Sequence, residues 1–202
     1  ILLTGTLTEF LSCMDMLRKY QKTVTGRDPV ASCQARIKKA ESMAGKLQRM
    51  GLKVCRENAL EKVFDAAGAR IICPFVEDVY RMADLITDIP GVRLFREKDY
   101  IAHPKPNGYR SYHMIIRFPL RFLGKEGMEN SLWLELQLRT IAMDCWASIE
   151  HSLKYKKDIS NQEFMKKELK RCADEIASTD LSLSTIKEMI QDDSSVHLPP
   201  RL

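Results

Sequence analysis

The run Leu132-Trp133-Leu134-Glu135-Leu136-Gln137-Leu138-Arg139 places leucine at every second position. On a helix, turning about 100° per residue, these leucines would divide between two opposite sides; on a strand they share one face. The segment is therefore read as a strand that buries four leucines and turns Trp133, Glu135, Gln137 and Arg139 the other way. A strand with one wholly apolar face needs neighbours to pair with and a layer to cover it, so the chain must build a sheet backed by helices. An acid, an amide and a base on the opposite face suit an ordinary solvated surface. They are also the set that a metal-nucleotide site needs.

The rest of the chain supplies the other elements. Leu7, Leu11, Met14, Leu17 and Val24 recur at helical spacing, predicting a helix over Leu7–Val24 that breaks at Gly26-Arg27-Asp28-Pro29. Further helices are expected over Ala35–Met50, stopping at Gly51, over Glu57–Phe64, and over Glu77–Thr87 with Val79, Met82, Ala83 and Ile86 on one face. Two more are expected over Ile141–Lys156 and Gln162–Gln191. Strands are expected over Ala69–Phe75, Arg93–Ile101, His113–Phe118 and Leu132–Arg139. Helices first, then strands mixed with helices, then helices, make an α/β (α+β) fold. In the last helix Met165, Leu169, Cys172, Ile176, Thr179, Leu183, Ile186 and Ile190 alternate spacings of four and three. That coiled-coil-like seam either packs the helix on its own domain or meets another subunit.

With 202 residues, 45% of them apolar, the chain supports one sizeable core and one domain, not a disordered chain. No long uncharged apolar run is present, so no membrane span is expected. None of the six cysteines forms a Cys-x-x-Cys pair and the four histidines are dispersed, which argues against structural zinc. Several cysteines fall in apolar patterns, as reduced thiols of a cytoplasmic protein do, and Ile1-Leu2-Leu3 makes no secretory leader. The formal charge of +5 is uneven. Arg36–Arg56 holds seven basic residues and one acidic, Arg93–Lys125 eight and two, and Ser160–Ser195 five and eight. Each run alone reads equally well as a solvated face, but two basic blocks around acidic positions in an α/β stretch point to a polyphosphate.

Three constellations carry chemistry. On the helix expected from Ala35, Lys38, Ser42, Lys46 and Arg49 fall in one sector, with Ile37, Ala40, Ala44 and Leu47 opposite. Such a stripe suits a chain of phosphates, with Arg36 placed to stack on a base. Asp65, just before a strand, makes a second carboxylate beside Glu135, a pair that fits Mg²⁺ bound together with substrate phosphates. Between Lys98 and His113, Pro104 and Pro106 stiffen a loop that turns at Asn107-Gly108. Lys105, Tyr109, Arg110 and His113 crowd it, an arrangement for stacking a purine while holding its phosphates.

The ordered set Arg36-x-Lys38, Ser42, Lys46, Asp65-x-x-Gly68-x-Arg70, Lys98-Asp99-Tyr100, Pro104-Lys105-Pro106-Asn107-Gly108-Tyr109-Arg110-Ser111, Glu135-x-Gln137-x-Arg139-Thr140 and Trp146-Ala147-Ser148-x-Glu150-His151 resembles the synthetase domain of the RelA/SpoT superfamily. The resemblance covers roughly residues 8–157, and a chain of this length is similar to the stand-alone small alarmone synthetases. It implies a nucleotidyltransferase-like mixed β-sheet flanked by helices, with long N- and C-terminal helices. The catalytic core would span about 30–157, with 1–25 and 160–192 as helices for packing or oligomerisation. It implies transfer of the β,γ-pyrophosphate of ATP to the 3′-hydroxyl of GDP or GTP, giving AMP and the stringent-response alarmone ppGpp or pppGpp.

By motif position, Arg36 and Arg70 would clamp the adenine, and Lys38, Ser42, Lys46 and Arg49 would hold the ATP phosphates. Asp65 would bind Mg²⁺, and Glu135 would share the metal or activate the 3′-hydroxyl. Tyr109 would stack on guanine, with Lys98, Lys105, Asn107, Arg110, His113, Gln137 and Arg139 on the acceptor and phosphate side. The hydrolase half of the long family members needs a His-Asp dipeptide, which this sequence lacks, so synthesis without hydrolysis is expected.

Two departures touch packing and not ligands: Lys39-Ala40 stands where a Ser-Pro pair is frequent, and Tyr112 where Leu or Ile is usual. The resemblance also implies a homotetramer. Some relatives respond to pppGpp or to single-stranded RNA, and no motif here decides either. Related enzymes act on the tRNA 3′ end or on adenine nucleotides, and a silent nucleotide- or RNA-binding regulator is the non-enzyme alternative. Retention of both Asp65 and Glu135 speaks against the last.

Overall fold

The computed structural model describes residues 1–121, 131–154 and 161–196. In chain order its elements are α1 (Leu2–Thr25), β1 (Ser32–Ile37), α2 (Ala40–Arg49), α3 (Arg56–Lys62), β2 (Ala67–Cys73), α4 (Val76–Thr87), β3 (Arg93–Asp99), β4 (Tyr112–Pro119), β5 (Ser131–Thr140), α5 (Ile141–Lys154) and α6 (Gln162–Val196).

The alternating strand is the middle of the sheet. The five strands run in the order β1-β2-β5-β4-β3, with β2 and β5 parallel and the other pairs antiparallel. Leu132, Leu134, Leu136 and Leu138 are buried on one face with Ile71, Met114, Ile116 and Phe118. Helices α1 and α4 cover that face: Phe10 meets Phe118 edge-on at 5.6 Å between ring centroids, and Val79, Met82, Ala83 and Ile86 of α4 are all buried. Each large apolar side chain removed from water contributes about 2 kcal/mol, so this layer is the main stabilising element. The mixed sheet, its flanking helices and the long first and last helices are the architecture expected from the sequence.

One expected helix is partly a strand. Ser32–Ile37 pairs antiparallel with β2, bringing Arg36 opposite Gly68 and Ile37 opposite Ala67. Helix α2 begins only at Ala40, after Lys39 in an extended conformation. Propensity over Gln34–Ser42 favours helix, but the free edge of β2 offers a backbone ladder that outweighs it. The single cationic stripe is therefore corrected: Ser42, Lys46 and Arg49 ride on α2, whereas Lys38 lies in the link before it. The opposite apolar face also shrinks, since Ile37 is 41% exposed and Ala40 is exposed, leaving Leu47 to pack on Val63 and Ala66.

The seam of α6 divides. Met165, Leu169, Cys172 and Ile176 are half-buried beside Trp146 of α5, whereas Leu183, Ile186 and Ile190 are 45%, 51% and 61% exposed. The side of α6 facing the domain carries Ala173, Asp180 and Ser184, all buried. All six cysteines are free, Cys73 buried and Cys145 exposed. Among the described residues no helix is long and apolar enough to cross a membrane. Tyr155 and Lys156 of the expected fifth helix and Lys125 of the second basic block lie outside the described residues.

Candidate active site

The face of the sheet opposite the leucines carries the functional side chains, and strand register sets them in two rows. Gln34, Arg70, Gln137, His113 and Lys98 stand opposite one another across the strands, and so do Arg36, Gly68, Glu135, Ile115 and Arg96. Gly68 opens a gap between Arg36 and Glu135. A Cβ there would lie 3.1 Å from the Glu135 carbonyl oxygen. The gap is the floor of a cleft of about 200 Å³ lined by Gln34, Arg36, Arg70, Glu135 and Gln137. A second cleft of about 160 Å³ lies over β3 and β4, lined by Arg96, Lys98, Tyr100, Lys105, His113 and again Glu135. Glu135 is thus a wall of both.

Asp65 sits at the mouth of β2, where Phe64 anchors the turn by packing on Phe95 and Trp133 at 5.3 and 4.9 Å. Its two oxygens accept hydrogen bonds from Lys38 Nζ and Lys46 Nζ, each at 2.7 Å. Burial pushes the Asp65 carboxyl up, but the two ammonium groups outweigh it and hold it below the ordinary carboxylate range. Glu135 goes the other way, raised by its own burial and by the charge of Asp65 against Lys46, Arg36 and Lys38. Two neighbouring carboxylates are thus driven apart in proton affinity, an arrangement suited to acid–base work. Ser42 and Arg49 lie exposed on α2.

The loop before β4 is held from two sides. Gly108 N–H donates to Lys105 O at 2.8 Å, and the Asn107 side chain ties to the scaffold, donating to Glu150 at 3.1 Å and accepting from Tyr109 N–H at 3.2 Å. Gly108, at φ +88°, lies so close to α6 that a Cβ would meet Ala173 Cβ at 2.4 Å. Tyr109 then projects between Arg139 and His113. Arg139 Nη2 donates to the Tyr109 hydroxyl and that hydroxyl bonds His113 Nε2, both at 2.8 Å. Burial, reinforced by Arg139, Lys105 and Lys98, lowers the His113 pKa to about 4, so the ring is neutral. The Lys105 ammonium lies 4.6 and 4.7 Å from the centroids of Tyr100 and Tyr109.

The expected residues do not all converge. Arg110 turns away from Tyr109 and His113: its Nη2 donates to Ile101 O at 3.4 Å, on the side of Tyr80 and Asp180. Arg139 is 5% exposed and donates its Nη1 to Asp144 at 2.8 Å. The sequence reading passed over Asp144, Gln34 and Arg96, and named Tyr100 only as part of the Lys98-Asp99-Tyr100 motif, without a role. The signal for Asp144 was an acid in the first turn of a helix directly after an arginine-ended strand. For Gln34 and Arg96 it was register with Arg70 and Glu135, which no single segment reveals.

Residues 35–160 match the family described as the region found in RelA / SpoT proteins. A GTP pyrophosphokinase of Bacillus subtilis, YwaC, is 36% identical over 167 residues, covering 83% of this chain and 78% of the relative. The crystal structure of the small alarmone synthetase 2 from the same organism superimposes with a TM-score of 0.79 at 34% identity, covering 93% of this chain and 96% of that one. That of its small alarmone synthetase 1, bound to its product pppGpp, gives 0.79 at 29% identity with 95% of both chains covered. Both clefts but for Gln34, together with Asp65 and the tyrosine loop, fall inside the matched region, and with a relative this similar along most of its length the protein belongs to the RelA/SpoT family.

Proposed function

We propose that the protein is a (p)ppGpp synthetase that moves the β,γ-pyrophosphate of ATP to the 3′-hydroxyl of GDP or GTP. The observation that carries the reading is the place of Glu135 as a shared wall of the two clefts, since a transfer enzyme must bring both substrates to one reactive group. The family and the relatives named GTP pyrophosphokinase support it.

In this reading the cleft over β1 and β2 takes ATP. Arg36 and Arg70 clamp the adenine; Lys38, Ser42, Lys46 and Arg49 hold the phosphates. The cleft over β3 and β4 takes the guanine nucleotide. Tyr109 stacks on the base, and Lys98, Lys105 and His113 line its phosphate and ribose side, with Gln137, a wall of the first cleft, and the buried Arg139 in support through Tyr109. Asn107 and Arg110 serve this side by holding the loop. The ribose O3′ bonds to Pβ of ATP, the bond from Pβ to the oxygen bridging Pα breaks, and AMP leaves. The 3′-hydroxyl proton passes to Glu135, whose raised proton affinity makes it the better base of the two carboxylates.

The donor set fits Mg²⁺. Asp65 and Glu135 offer hard carboxylate oxygens near enough for the charge of Asp65 to act on Glu135, and among the described residues no three His, Cys, Asp or Glu side chains converge. An ion held by one or two carboxylates and completed by substrate phosphates is the usual magnesium arrangement. When bound there it supplies charge neutralisation for the phosphates. Lys38 and Lys46, which neutralise Asp65 in the free protein, are within reach of the same phosphates.

The test uses ATP labelled in its two terminal phosphates, offered in turn with GDP, GTP, GMP and tRNA. Label moving to GDP or GTP with one AMP formed per transfer supports the reading. Label on tRNA, or release to water alone, overturns it.

A further inference from the structure

The two clefts are joined by a chain of polar contacts that turns on Asp144. Arg70 lines the cleft over β1 and β2. Its Nη1 lies 3.5 Å from Asp144 Oδ1. The same oxygen accepts from Arg139 Nη1 at 2.8 Å. Arg139 Nη2 donates to the Tyr109 hydroxyl at 2.8 Å and to Gln137 Oε1 at 3.2 Å. Tyr109 bonds His113, which lines the other cleft. One carboxylate oxygen therefore serves two guanidinium groups: Arg70, which lines one cleft, and Arg139, which reaches the other through Tyr109 and His113.

The geometry points to Asp144 as a positioning residue that couples binding of the adenine nucleotide to binding of the guanine nucleotide. This rests on the reading that those are the two ligands. Register and strand alternation put Arg70 and Arg139 on one face of adjoining strands, and Asp144 bridges their like charges. The Nε atoms of Arg70 and Arg139 are buried without a hydrogen-bond partner, so neither guanidinium is fixed from its stem and both depend on contacts at the fork. A base stacked on Tyr109 fixes Arg139; Arg139 fixes the carboxylate; the carboxylate fixes Arg70 over the first cleft. Ordering already imposed by one ligand costs the second nothing more, which is positive coupling. Asp144 itself lines neither cleft in this structure and acts through the two arginines.

The experiment is calorimetric titration of the intact chain with the non-reacting analogue α,β-methylene-ATP, with and without GDP, and with GDP, with and without the analogue. Each nucleotide should tighten the other about fivefold or more, by the same factor in both directions. In Asp144→Asn both should still bind and the factor should fall to within about twofold of one, since charge is removed while an acceptor remains. Asp144→Glu, which restores the charge, should recover part of the factor. A purely structural role would weaken both affinities and leave their ratio unchanged. Asp144→Ser repeats the test with a different acceptor, so a folding defect in one variant does not decide it. Wild-type protein that binds both nucleotides without coupling, or variants that keep the wild-type factor, overturn the inference alone. Wild-type protein that binds neither nucleotide overturns the functional reading as well.

Discussion

The sharpest mechanical claim concerns Gly108, the residue on which the tyrosine loop turns. Its φ of +88° lies in the region that residues with a Cβ rarely adopt, and a Cβ there would stand 2.4 Å from Ala173 Cβ and 3.2 Å from Lys170 Cδ. Carbon atoms rest at about 3.5–4.0 Å, so in Gly108→Ala the loop or α6 must give by more than an ångström. The positive φ adds roughly 1–2 kcal/mol for an ordinary side chain, and overpacking a close contact costs about 1–3 kcal/mol. The loop is the easier part to move, because α6 is also fixed by the Thr140–Asp180 bond at 2.7 Å. Displacing Tyr109 by an ångström should raise the KM for the guanine nucleotide by about tenfold to a hundredfold while that for ATP changes little. Steady-state kinetics with each substrate varied in turn reads this directly. Adding Ala173→Gly removes the facing Cβ but leaves the φ strain, so it should restore part of the loss. A Gly108→Ala enzyme with unchanged acceptor KM, or one in which both KM values rise together, refutes the claim that this contact sets the tyrosine.

Other expectations follow from the charges. His113 is neutral when folded, with a pKa of about 4 against 6.5 in an unfolded chain, so the unfolded state binds the extra proton between those values. Its contribution to stability should therefore fall as pH drops from about 6.5 to about 4, and NMR titration of the ring should find its midpoint well below 6. A midpoint near the ordinary value would contradict the buried hydrogen bond to Tyr109. Lys46→Met removes one of the two cations on Asp65 and, in the proposed reading, a phosphate contact, so KM for ATP should rise about tenfold or more with the acceptor KM little changed; equal loss for both substrates would place Lys46 elsewhere. Leu183, Ile186 and Ile190 leave an apolar edge on α6 exposed, which we propose as the surface for the homotetramer that the family resemblance implies. Leu183→Asp with Ile186→Asp should lower the mass seen by light scattering, and a wild-type monomer removes that proposal.

The central strand was legible because alternation has one physical reading: Leu132–Leu138 could serve only as a strand with one buried face, and Glu135 and Gln137 had to face the other way. Asp65 and the turn at Asn107-Gly108 were legible for local reasons, an acid at a strand mouth and a residue free to take positive φ. The segment Ser32–Ile37 was not. Its propensity is helical, and the ladder that makes it a strand comes from Ala67–Ile72, far along the chain and beyond two intervening helices. The direction of Arg110 was hidden for a similar reason. Adjacent residues in an irregular loop need not share a direction, and the pull of Ile101 O on it is tertiary. Asp144 could be noticed as a first-turn acid, but its part was not legible because it depends on two arginines from different strands meeting at one oxygen.

The central claim is that Glu135 stands between two nucleotides and takes the proton from the acceptor. The most direct measurement is single-turnover transfer from terminally labelled ATP to GDP by Glu135→Gln, made with nucleotide binding measured on the same preparation. Both nucleotides should still bind, and transfer should fall by about a hundredfold or more, the usual contribution of a general base. Transfer at the wild-type rate by the glutamine enzyme would contradict it.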